Sequence, residues 1–74
     1  MDRKITVFKG AEIPCMEGVL KITDINCAGL IYADEFTVTE AGDLDFNTER
    51  RLTAAELANE LWMIDGKIHK VVID

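Results

Sequence analysis

The chain has 74 residues, of which 49% are hydrophobic and 30% charged, and its formal net charge is −6 at pH 7. That length admits one domain, covering residues 1–74, and a domain of this size hides only roughly three fifths of the surface that its unfolded form exposes. The composition is globular rather than disordered. No apolar run is long enough for a membrane-spanning helix, and the N-terminus lacks the basic start and apolar stretch of a secretory signal, so the expectation is a soluble cytoplasmic protein with no membrane partner.

The charge is unevenly spread. Residues 34–49 hold Asp34, Glu35, Glu40, Asp43, Asp45 and Glu49 with no Lys or Arg among them, while acids and bases balance over the rest of the chain. The excess charge of the protein is numerically that of this one segment. Direct binding to a phosphate backbone, which needs Lys and Arg, is argued against by such a balance.

In chain order, residues 4–8 (KITVF) are rich in β-branched side chains and predict a first strand, ended by Lys9 and Gly10. Pro14 holds Ile13 extended, and Met16, Glu17 and Gly18 read as a turn; no element is assigned between the first strand and that turn. A second strand covers residues 19–25, with Leu20 and Ile22 on one face and Lys21 and Thr23 on the other. Residues 30–39 form the longest strand candidate. Leu30, Tyr32, Phe36 and Val38 share one parity there, while Glu35, Thr37 and Thr39 share the other. Asp34 interrupts the apolar parity, and because a lone carboxylate is not left in a core it marks a bulge or an edge.

After a turn at residues 40–43, Leu44 and Phe46 alternate with Asp45 and Asn47. Pairing these two segments as a hairpin predicts Phe36, Val38, Leu44 and Phe46 on the buried side, beneath a helix. The same pairing collects Glu35, Thr37, Thr39, Asp43 and Asp45 on the outside as an acidic ribbon. Residues 47–51 read as a polar connection.

The helix carries its own start and stop. Thr53 and Glu56 make a capping box, flanked by Leu52 and Leu57 at the staple positions. Ala54, Leu57, Ala58, Leu61 and Ile64 follow helical spacing, and Gly66 is placed to end the element. A helix this short is marginal alone in water, so it must lie on the sheet. A competing reading stays open: Asp65 and Gly66 are also a two-residue hairpin signal, which would make residues 61–64 a strand turning back into residues 67–73. Residues 67–73 predict a last strand whose Val71, Val72 and Ile73 are apolar on both faces, as in a central strand or one covered by another subunit. The predicted class is α+β: a small, mainly antiparallel sheet of four to five strands with one helix packed on one face, in the order β-β-β-β-α-β.

The chemistry-bearing residues are few. Asp43, Asp45 and Asn47 have the spacing that opens a calcium loop, but the glycine and bidentate glutamate that such a loop needs further on are replaced by Thr48 and Ala54. Cys15, Cys27 and His69 are the soft or imidazole ligands, and no two stand at the close spacing of structural zinc sites, so no metal and no cofactor is expected. Two cysteines do not make a disulfide framework, and thiols are the ordinary state in a cytosolic chain. The chain contains no serine, and its glycines are isolated rather than gathered into a phosphate loop. A metal or thiol protein using Cys15, Cys27 and His69 is the lowest-ranked alternative.

The first functional expectation is a non-enzymatic inhibitor or regulator, of the small acidic kind that mobile genetic elements encode. Glu35, Thr37, Thr39, Glu40, Asp43, Asp45 and Glu49 would dock on a basic, nucleic-acid-binding surface of a partner protein, without nucleic acid being bound directly. Trp62, between the apolar stripe and the polar side of the helix, is the candidate interface anchor. The alternative is a structural homodimer or higher homo-oligomer assembled through Trp62 and the apolar last strand.

Overall fold

In the computed structural model, residues 3–15 and 18–74 are described. The β-branched runs become strands and the capped segment a helix: β1 (Arg3–Val7), β2 (Glu12–Cys15), β3 (Gly18–Ile25), β4 (Ile31–Val38), β5 (Leu44–Leu52), α1 (Ala54–Asp65) and β6 (His69–Ile73). Strands β2, β3, β4 and β5 make a four-stranded antiparallel sheet in that order, and β1 pairs with β6 as a parallel two-stranded sheet. The α+β class is as expected, with one helix among the described residues packed on the sheet.

The pairing of β1 with β6 joins the two ends of the chain, from Arg3 beside His69 to Val7 beside Ile73. It covers part of the apolar last strand and leaves Ile73 37% exposed. Val71 and Val72 are half-buried within the same chain, by β1 and by the helix, which packs chiefly against β6 and more lightly against β2 and β5. Beneath the helix, Leu57 and Leu61 are buried among Val7, Ala11, Ile13, Leu20, Ile22, Ile31, Ala33 and Leu52. The register sets Ile13 beside Leu20, Ile22 beside Ala33, and Ile31 beside Leu52, so one face of the sheet supplies a continuous apolar floor.

The expected face of the hairpin is inverted. In β4 the buried residues are Ile31 and Ala33, so Tyr32, Asp34, Phe36 and Val38 point the other way. Val38 is 52% exposed, Leu44 46% and Phe46 59%, and none of them lies beneath the helix. Small Ala33 fits against Ile22, and Ile31 against Leu52, where the aromatic set would not. Beyond Ala33 the strand runs past the core, because the buried side chains that the helix offers are Leu57 and Leu61 alone.

Two further differences concern extent. Residues 47–51, read as a connection, continue β5, with Glu49, Arg50 and Arg51 opposite Asp34, Ala33 and Tyr32. The bulge expected near Asp34 occurs across from it: Thr48 stands opposite Glu35 and Phe46 opposite Phe36, so Asn47 is the extra residue. The strand β2 had no sequence assignment. It is an edge strand, the position in which Pro14, lacking an N–H, is tolerated. Of the turn expected at Met16, Glu17 and Gly18, the first two residues lie outside the described ones.

The helix is capped as its sequence predicts. The Thr53 hydroxyl accepts from the Glu56 N–H at 3.1 Å, and the Glu56 carboxylate accepts from the Thr53 N–H at 3.1 Å. Gly66 adopts the left-handed conformation at φ 67° and donates its N–H to the Trp62 carbonyl. Residues 61–64 are helical, which removes the competing hairpin.

Gly18 is held by a different constraint. A Cβ placed there would lie 1.7 Å from the Phe36 carbonyl oxygen, so only glycine lets β3 approach β4 this closely. Gly18→Ala is expected to cost on the order of 3 kcal/mol, the upper range for overpacking. Thr53→Ala should cost about 1 kcal/mol through the lost cap. Urea denaturation of both variants beside the wild type reads the two values and their order.

Candidate protein-docking surface

The outer half of the β4–β5 hairpin carries most of the residues expected to bind a partner, and strand alternation divides them between two faces. On the face continuous with the core lie Glu35, opposite Leu20, and Thr37, opposite Asp45. Glu35 is committed within the chain. It accepts from Asn47 Nδ2 at 2.9 Å and pairs with Arg50 Nη1 at 3.5 Å. Arg50 also pairs closely with Glu60 on the helix. The hydrogen bond to Glu60, with the charges of Glu60 and Glu35, holds the guanidinium pKa above its ordinary value.

Thr39 closes the turn: its N–H donates to the Asp43 carbonyl and its hydroxyl accepts from the Asp43 N–H. Glu40 and Asp43 project from that turn into solvent. Glu49 falls on the opposite face, beside Asp34, because the extra residue at Asn47 reverses the alternation between Asp45 and Glu49. The structure therefore gathers the seven predicted residues on one hairpin and not on one ribbon.

The face turned away from the helix holds what sequence reasoning missed. Cross-strand neighbours Pro14, Val19, Phe36 and Phe46 form an apolar row across all four strands of the larger sheet, and Val38 pairs with Leu44 beyond it. The rings of Phe36 and Phe46 meet edge to face with centroids 6.0 Å apart. Adjoining that row runs a charged one, Glu12, Lys21, Asp34 and Glu49. Next to it the Arg51 guanidinium sits 5.7 Å from the centre of the Tyr32 ring. An open groove of about 590 Å³ runs past Thr23, Asp24, Tyr32, Asp34, Glu49 and Arg51. The apolar row becomes visible only when three registers are known, since each strand carries one of its members.

Trp62 is 43% exposed on the helix, in a shallow depression with Arg3, Gly66, Lys67 and Ile68, apart from the hairpin. His69 is only 8% exposed, although its place between Ile68 and Lys70 in the predicted last strand suggests an exposed or half-exposed residue. It begins β6 on the side that faces the helix, and its Nε2 lies 3.0 and 3.2 Å from the two Asp65 carboxylate oxygens. Cys15 and Cys27 are not bonded to each other. Among the described residues no three His, Cys, Asp or Glu side chains are grouped to hold a metal. No helix among them is long and apolar enough to cross a membrane.

No family model, curated protein or solved structure matches the chain. The functional reading rests on the surface itself.

The Asp65 carboxyl is held below its ordinary pKa, first by the hydrogen bond to His69 and then by the Lys67 N–H and the nearby charges. A carboxylate whose folded pKa is lowered adds stability above its unfolded value, about pH 4, and loses it as the pH falls through the lowered one. Asp65→Asn should therefore be less stable than the wild type at neutral pH, with the gap closing in acid. Thermal unfolding of the pair across that range measures it; a gap that persists unchanged in acid would contradict the assignment.

Proposed function

We propose that this protein is a non-enzymatic regulator or inhibitor that docks the outer end of its β4–β5 hairpin on a basic surface of a partner protein. The observation that supports the reading is the juxtaposition on that hairpin of exposed Val38, Leu44 and Phe46 with Asp34, Glu40, Asp43, Asp45 and Glu49. Interfaces commonly have this composition: an apolar, aromatic centre that loses water and a charged rim that sets orientation and partner choice. Charge of one sign on a rigid two-stranded support also speeds encounter with a surface of the opposite sign.

A protein surface that is basic and carries an apolar centre is the complement. Such surfaces also take nucleic acid, so occupation by this hairpin would compete with a phosphate backbone for the same Lys and Arg side chains. Glu35 and Thr39 act here as supports, the first through Arg50 and the second through the turn, while Glu40, Asp43, Asp45 and Glu49 supply the exposed charge.

The test is affinity capture from the native host's lysate at low salt, using the wild type and the double variant Asp43→Lys, Asp45→Lys. A partner bound through this surface should be retained by the wild type alone, be released as salt is raised, and be displaced by added duplex DNA. Retention that ignores salt and both reversals would overturn the proposal.

A further inference from the structure

The exposed edge of the larger sheet bears on what else this hairpin does. Strand β5 ends the order β2-β3-β4-β5, and among the described residues no strand pairs with its outer side. It is nine residues long, contains no proline, and is exposed from Leu44 to Glu49. An edge of that length is a ready template for another strand unless something disfavours the pairing. On its helix side lies an open groove of about 280 Å³, bordered by Arg50, Leu52, Glu56, Asn59, Glu60 and Met63.

We propose that the occupant of this edge is β5 of a second copy of the chain, paired antiparallel about a two-fold axis between Asn47 and Thr48. Two identical edges meet antiparallel about an axis normal to the sheet, and each face of one sheet then continues into the same face of the other. The bulge makes the register unique. Leu44, Phe46, Glu49 and Arg51 face away from the helix, whereas Asp45, Thr48, Arg50 and Leu52 face its side. Asn47 joins the second set, because its amide reaches Glu35. Among axes whose pairing spans the bulge, only one between Asn47 and Thr48 pairs like faces throughout; displacing it by one residue sets outward side chains against inward ones near the centre.

In that register Leu44 stands opposite Arg51 of the second copy, Asp45 opposite Arg50, Phe46 opposite Glu49, and Asn47 opposite Thr48. No two like charges are directly opposed. The arrangement follows from the sequence of the strand, acidic toward its start at Asp43 and Asp45 and basic toward its end at Arg50 and Arg51. Antiparallel pairing sets the start of one copy against the end of the other. The Leu44 and Phe46 side chains are drawn under the Arg51 side chain of the second copy, whose methylenes cover apolar surface. One ladder of this length covers less than the roughly 800 Å² per partner of a tight complex, so the dimer is a weak, reversible one.

The inference concerns the purified protein alone and stands or falls apart from any partner. Sedimentation equilibrium should show the weight-average mass rise from 8.3 kDa toward twice that value as concentration increases. Phe46→Glu sets a carboxylate opposite Glu49 at both symmetry-related positions, and should weaken the dimer about tenfold or more. Adding Glu49→Lys to that variant restores opposite charges in this register and should bring the dimer back. Both positions are exposed, and matching circular dichroism spectra establish that all three proteins are folded alike. A mass of 8.3 kDa at every concentration up to about 1 mM would overturn the inference. A dimer indifferent to Phe46→Glu, or one that Glu49→Lys does not rescue, would overturn it equally.

Discussion

Burial of Ile31 and Ala33 against Ile22 and Leu52 fixes the rest of the arrangement. A strand alternates its faces, so once these two residues of β4 are in the core, Glu35 must follow them onto the helix side and Phe36 must turn away. The carboxylate that is thereby carried toward the helix needs a counter-charge. Arg50 supplies it from β5, standing opposite Ala33 and one alternation along from Thr48, the neighbour of Glu35. The same guanidinium reaches Glu60, and so a choice made in the sheet determines how the hairpin is tied to the helix.

One cation between two carboxylates is not chiefly a source of stability. The three side chains are only partly buried, so water screens their attraction and desolvation offsets part of it, although the balance at Arg50 still favours the charged form. What the cluster provides is position. Arg50 can satisfy Glu35 and Glu60 together only when the hairpin and the helix hold one relative placement, and the Asn47 amide fixes the second Glu35 oxygen at the bulge. The bulge is thus pinned by the ion pair, and the parity of everything beyond it depends on that pin.

Features determined within a few residues were legible in the sequence. The capping box at Thr53 and Glu56, the Gly66 stop and the turn through Gly42 are local, and each folds as its residues dictate. Features that need two distant segments were not. Nothing in Arg3–Val7 or His69–Ile73 announces that they pair in parallel, because that partnership is decided by the path of the whole chain. Within β4 the period of two was visible, yet its phase was not. Three large apolar residues, Tyr32, Phe36 and Val38, occupy one parity and Ile31 with Ala33 the other, and size favours the first set while fit against Ile22 and Leu52 favours the second. The strand content of residues 47–51 escaped for a related reason: Glu49, Arg50 and Arg51 have weak strand preference, and pairing with Asp34, Ala33 and Tyr32 overrides it. The candidate surface shared this fate. Its acids were visible as a charge run, and its apolar row required registers that no local pattern contains.

An exposed apolar row beside an unpaired edge is the combination that small proteins avoid when nothing covers it, because strands of other chains add to such edges without discrimination. The acids around it alter that outcome in a selective way. Asp45 and Glu49, which lie on the edge strand itself, disfavour strands that approach with a carboxylate directly opposite, since like charges opposed across a ladder are destabilising. They repel least where a cation or an apolar side chain stands opposite each of them. The basic partner surface and the second β5 proposed above would both meet that condition. The same charges therefore disfavour indiscriminate pairing along an edge whose length and exposure would otherwise invite it.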